Sequence, residues 1–252
     1  SLLSAYFSLF WPAYYKVIII IVYKYFNYYN VWFKTTYDNE YTTKSLLKLA
    51  RTSYDQGIFD KSLMYYEQLS ELTDSKVLLA EAHDGIMKSA WKTNNKKKAK
   101  DAAQQLILSD KASDNQIIYA HYILGSIALE ENRLVEALNE FSTVTKFSRE
   151  EIGAESQYNI SLIEYKNNNL NSAEEMVYKI PENYPEYNYW TAKGFILLAD
   201  IYVGRENYFQ AEQTLNSVID NYSGKDLKEL AKDKLDRLNT MQLESEEVND
   251  NQ

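Results

Sequence analysis

From Lys193 to Asp220 apolar residues recur every three or four positions, stop at a short polar stretch, and then recur again. Leu198, Ala199 and Tyr202 fall on one face of the first run. Gly204 to Asn207 is the break, and Ala211, Leu215 and Val218 fall on one face of the second run. This spacing predicts two helices back to back. Neither is apolar all round, so the pair has to bury its stripe against neighbours of the same kind.

The neighbours are present as internal repeats. A small residue early in each second helix recurs at Ser62, Ala99, Ala137, Ala173 and Ala211, in steps of 37, 38, 36 and 38 residues. Twelve residues before each stands the second member of a matching pair: Leu49-Ala50, Ile86-Met87, Leu124-Gly125, Ile160-Ser161 and Leu198-Ala199. Four residues after each small residue come Tyr66, Ala103, Phe141, Val177 and Leu215, and three further on Leu69, Leu106, Val144, Ile180 and Val218. Small side chains at one position allow two helices to approach closely, and large ones fill the space between repeats.

The pattern resembles that of the tetratricopeptide repeat (TPR) family, W-x2-L-G-x2-Y followed by A-x3-F and P on a period of roughly 34 residues. Leu124-Gly125 with Ala137 and Phe141 is the fullest match. The Trp position holds Leu46, His83, His121, Gln157 and Phe195 instead, and the terminal Pro is missing. The longer steps predict longer turns between repeats. The resemblance runs from about Thr43 to Lys225. It implies an all-α, right-handed α-α solenoid of TPR hairpins over 41–225. Residues 226–242 follow as a capping helix, with Leu227, Leu230, Ala231, Lys234, Leu235 and Leu238 on one helical period, and then an acidic disordered tail over 243–252. A break at Pro181 to Pro185 separates repeats four and five. The cap and tail imply that the array ends there, while Ser1 in place of Met implies processing or a longer parent chain.

Residues 1–40 differ in kind. Ser1 to Thr36 has no Asp or Glu, three lysines (Lys16, Lys24, Lys34) and a dense set of aromatics around the apolar run Val17 to Tyr23. That run is too short to span a bilayer, which takes about 20 apolar residues, and no small-residue cleavage site follows it. A degenerate upstream repeat, or a contact segment for a membrane or membrane protein through residues 1–33, are the readings its composition supports.

Charge and composition narrow the function. The net charge of −9 argues against general nucleic-acid binding. The lack of cysteine excludes disulfides, thiolate metal sites and cysteine nucleophiles. No phosphate-binding or zinc-hydrolase motif occurs. His83 and His121 stand at equivalent repeat positions and read as packing residues rather than ligands. Lys96, Lys97, Lys98 and Lys100 read as a solvated turn. The expectation is therefore no enzyme, no metal and no cofactor.

The TPR resemblance also implies a groove lined by the first helix of each repeat. Its positions here are Leu47, Arg51 and Tyr54; Asp84, Lys88 and Trp91; Tyr122, Ser126 and Leu129; Tyr158, Leu162 and Tyr165; and Ile196, Asp200 and Val203. Arg51, Tyr54, Lys88, Trp91, Tyr122, Tyr158 and Tyr165 are the candidate partner-binding residues, since aromatics and arginine anchor protein interfaces. Chaperone-tail binders of the family carry Lys and Asn where Leu47 and Arg51 stand, so that role is not implied. The phrase from Lys193 to Tyr222 is similar to envelope repeat proteins of Bacteroidota-type bacteria. That likeness implies a scaffold for protein partners in a multiprotein outer-membrane assembly or secretion complex, in the periplasm or on the periplasmic face of the outer membrane. The alternatives are a membrane-associated adaptor and a cytoplasmic location.

Overall fold

The computed structural model describes the backbone of residues 40–250 and the side chains of residues 42–242; the expectations for residues 1–39 lie outside them. Eleven helices and no strand occur among the described residues. Five hairpins come first: α1 (Glu40–Asp55) with α2 (Phe59–Leu72), α3 (Lys76–Lys92) with α4 (Lys96–Ile107), α5 (Asp114–Glu130) with α6 (Leu134–Phe147), α7 (Glu151–Lys166) with α8 (Leu170–Asn183), and α9 (Asn188–Gly204) with α10 (Tyr208–Asn221). A single helix, α11 (Lys225–Asp250), closes the set. The described residues form two compact units, 40–102 with 109–111, and 103–108 with 112–250.

Every small residue picked out by the repeat register is buried: Ser62, Ala99, Ala137 and Ala173 and Ala211 are all fully enclosed. The larger residues at the two following register positions, from Tyr66 and Leu69 to Leu215 and Val218, are buried as well. In the first unit the tight spot is polar. Ser62 Oγ donates to the Ala50 carbonyl at 3.0 Å and accepts from Ser89 Oγ at 3.0 Å, so the buried hydroxyl is satisfied rather than orphaned. Gly85 faces the Tyr66 ring, where an added Cβ would fall 2.2 Å from a ring carbon. In the second unit Gly125 lies against Phe141 and Gly194 against Ile180, again with no room for a methyl group. Leu49 is 47% exposed, whereas its counterparts Ile86, Leu124, Ile160 and Leu198 are buried. No described element precedes α1 to cover it.

The turn inside each hairpin repeats more faithfully than its residues do. Gly57, Asn94, Asn132, Asn168 and Glu206 all have a positive φ, between 57° and 74°, five residues before the small residue of their repeat. Each donates its N–H to the carbonyl three residues back, and the following residue donates to the carbonyl five back, as Asn95 N to Ala90 O at 2.8 Å and Asn207 N to Tyr202 O at 2.9 Å. This left-handed closure satisfies carbonyls the helix end would leave open. Glycine and asparagine adopt it readily, and Glu206 does so at a steric cost.

The structure corrects three sequence expectations. The links between hairpins are short except for residues 108–113. Residues 73–75 and 148–150 suffice for two of them, and the steps also place extra residues in first helices of 16 or 17 residues. Pro181 sits inside the last turn of α8, which runs on to Asn183, so the break falls at Tyr184 and Pro185. The final helix does not stop at residue 242 but continues to Asp250, because nothing after Gly224 is a glycine or proline able to end it. Its inner stripe is Leu227, Ala231 and Leu238, all buried, while Leu230 is exposed.

Two changes test this packing. Glu206→Gly is expected to stabilise the chain by about 0.5–1 kcal/mol, the relief of a left-handed non-glycine less the extra chain entropy of glycine. Gly85→Ala is expected to destabilise it by about 1–3 kcal/mol, as overpacking against the ring of Tyr66. Chemical denaturation of both variants reads the two effects directly.

Candidate functional site

A helix brings residues three, seven and ten positions apart to one face. On α5 that face carries Tyr119, Tyr122, Ser126 and Leu129; on α7 Glu155, Tyr158, Leu162 and Tyr165; on α9 Lys193, Ile196, Asp200 and Val203. The groove positions implied by the repeat pattern thus extend one turn toward each helix N-terminus, to a row formed by Tyr119, Glu155 and Lys193 in the second unit and by Glu81 in the first.

That extra row determines what the candidate residues do. In the first unit Arg51 Nη2 and Nε reach Glu81 Oε1 at 2.8 and 3.2 Å, and Lys88 pairs with Asp84 at 2.6 Å. Both expected cations are therefore engaged within the chain. Tyr54 packs edge-on against Phe59 at 5.2 Å, and burial, followed by Asp84 and Asp55, raises its phenol pKa. Trp91 is half-buried on α3.

In the second unit the row links aromatic and charged groups. The Tyr122 phenol lies beside the Glu155 carboxyl, and the Tyr119 ring stands 5.6 Å away at a tilt. Burial, then the neighbouring Glu155 carboxylate, holds that phenol well above the usual tyrosine range. The Glu155 carboxyl is itself raised, first by burial and then by Glu151, while Tyr122 and Lys193 oppose the shift. Tyr158 is pushed up to about 12, chiefly by burial. Its ring lies 5.7 Å from that of Trp190 and 4.8 Å from Lys193 Nζ. Tyr165 packs on the cluster built around Leu198 and Ala199, and burial with Asp200 raises its pKa. Asp200 accepts from Lys234 of α11 at 2.6 and 2.9 Å, so the closing helix neutralises the last acidic group of the face.

Tyr122 and Tyr158 therefore stand in one connected set with Glu155, Lys193 and Trp190. In the first unit Tyr54 feels Asp84, the partner of Lys88, and Arg51 is held by Glu81. Sequence reasoning missed Glu155, Lys193 and Trp190. Six residues before each Leu-Gly-type pair's second member lies the row that would have found the first two. Trp190 carries no repeat signal.

The histidines take packing roles. His83 is half-buried and its pKa is lowered by that burial. His121 Nδ1 lies 2.6 Å from Glu140 Oε2, joining α5 to α6. No group of three His, Cys, Asp or Glu able to hold a metal occurs among the described residues. Of the lysine cluster, Lys98 pairs with Glu67. No described helix is long and apolar enough to cross a membrane. A cavity of about 180 Å³ between α9 and α10 is lined by Thr191, Phe195, Asn221 and Tyr222 among others and by none of the candidate residues.

A pH test follows from Glu155. A carboxyl raised above 4.5 in the fold keeps its proton to higher pH than in the unfolded chain, so stability falls as pH rises through the range just above that value. Glu155→Gln is expected to raise the melting temperature at pH 7 and leave it unchanged at pH 4. Thermal scans at both pH values check this.

No protein-family model matches the chain, and neither does any curated protein. Solved structures do. YrrB, described as a TPR protein with an unusual peptide-binding site, is similar at 19% identity with a TM-score of 0.58, over 75% of this chain and 90% of that one. Residues 41 to the end of MamA from Desulfovibrio magneticus RS-1 align at 15% identity and TM-score 0.60, over 73% and 97%. Yeast Tom70 aligns at 13% identity and TM-score 0.56, over 87% of this chain and 44% of its own. These likenesses establish the fold, an all-α array of tetratricopeptide-repeat hairpins.

Proposed function

We propose that the chain is a non-catalytic scaffold that holds a peptide or protein along the first-helix face of α5, α7 and α9. The observation that carries this reading is the connected set Tyr122, Glu155, Tyr158, Trp190 and Lys193. Large aromatic surfaces stand there beside charged groups on three successive hairpin helices, the composition that anchors interfaces. A face shared by three successive helices suits an extended or helical segment more than a small molecule. YrrB, similar in fold, is described as having a peptide-binding site. Arg51, Tyr54, Lys88 and Trp91 would add a second contact area in the first unit, where Tyr54 and Trp91 supply the apolar part. The scaffold works in a multiprotein envelope complex, in the periplasm or at the periplasmic face of the outer membrane. The likeness of Lys193 to Tyr222 to envelope repeat proteins supports that placement.

The second reading, a membrane-associated adaptor, rests on the apolar run Val17 to Tyr23 and the acid-free residues around it. Affinity purification on the full chain separates the two. The scaffold reading expects a partner that is retained by the wild type and by Phe209→Ala, a change at a 70% exposed site off the groove face. The same partner is lost from Tyr122→Ala/Tyr158→Ala while circular dichroism is unchanged. Equal recovery by all three contradicts it and moves binding to residues 1–33.

A further inference from the structure

Lys193 is held in an unusual way for a lysine in this chain. Its Nζ lies 4.7 Å from the ring centroid of Trp190, 4.8 Å from that of Tyr158 and 5.5 Å from that of Tyr189. The Tyr189 and Trp190 rings stand 5.0 Å apart at 88°, and Tyr158 closes the third side. In the same unit Lys179 pairs with Glu175 and Lys234 with Asp200, while Lys146 lies over a single ring, Phe147, at 5.1 Å. Lys193 pairs with no carboxylate among the described residues, although residues 112–252 hold 25 acidic side chains against 12 lysines and arginines. Its charge is met by ring faces, with Glu155 near enough to feel it. Three ring faces around one ammonium are how proteins recognise organic cations. The surrounding excess of acid draws such a ligand in.

We propose that Tyr158, Tyr189 and Trp190 form a cage for a lysine side chain of the partner segment, and that Lys193 occupies it as a tethered placeholder in the free protein. This rests on the reading of the α5, α7 and α9 face as the partner-binding face. Tyr189 is 37% exposed, so one wall of the cage opens to solvent and to an incoming chain. The flexible four-carbon stem of Lys193 lets its ammonium leave for water or for the Glu155 side without disturbing α9. An incoming lysine must displace it, and a site that is only fractionally open binds with an affinity reduced by that fraction. Removing the placeholder should therefore tighten cation binding, the opposite of what a lysine serving as a direct contact would show.

The test uses the full chain and a probe that needs no knowledge of the partner, N-acetyl-lysine methylamide, titrated while the Trp190 indole resonance is followed by NMR. Lys193→Ala is expected to bind the probe on the order of tenfold more tightly than the wild type. Lys179→Ala, which removes the same charge elsewhere, is expected to match the wild type. Adding Tyr189→Ala to Lys193→Ala, a change at the exposed wall that leaves the core intact, is expected to abolish the gain. Equal affinity in the wild type and Lys193→Ala overturns the proposal, as does an equal gain in Lys179→Ala or a gain that survives Tyr189→Ala. Because Tyr158 is a cage wall, a partner retained by Tyr122→Ala/Tyr158→Ala would overturn both the groove reading and the cage as the seat of a partner lysine. Partner loss in that variant with equal probe affinity in the wild type and Lys193→Ala would overturn the cage alone, so the two failures are distinct.

Discussion

The structure depends on close approach between helices at one position per repeat. Where Ser62, Ala99, Ala137, Ala173 and Ala211 sit, any larger side chain would force the helices of a hairpin apart. The glycines that face Tyr66, Phe141 and Ile180 impose the same limit on the next contact. Once these distances are set, the first helix of each hairpin has a single face left over, and that face carries the candidate site. Packing density, not a catalytic geometry, is what places Tyr122, Tyr158 and Lys193 where they are.

Much of this was legible in the sequence. The step of the small residues and their apolar followers gave the hairpins, because burial on a helix is periodic and leaves a periodic trace. The turns were less legible. Gly57 signals a left-handed residue, and three asparagines hint at one, but Glu206 adopts it against its own preference because the flanking helices dictate the register. The helix past residue 242 was missed for the opposite reason: polarity suggested a tail, whereas helix continuation needs only the absence of a stop. The lengths of the links could not be read either, since the steps divide their residues between first helices of 16 or 17 residues and links of three to six.

The candidate site was half legible. The aromatic row at Tyr122, Tyr158 and Tyr165 followed from register alone. What these tyrosines do depends on partners from the next repeat, 33 and 35 residues away in sequence, and no local pattern announces that Glu155 answers Tyr122 or that Lys193 answers Tyr158. The same cross-repeat pairing engages Arg51 with Glu81 in the first unit, so a cation that looked available in sequence is already engaged. Charge that is satisfied within the face leaves apolar and aromatic surface as the main attraction for a partner, with acid excess as the steering field.

The central claim is that this first-helix face receives the partner. Its most direct measurement is site-specific photocrosslinking in the full chain, with a photoreactive residue at Leu162 on the groove face of α7 or at Val135, 76% exposed on α6. The account predicts a crosslinked partner from position 162 and none from position 135. A crosslink from position 135 alone, or equal yields from both, would contradict it.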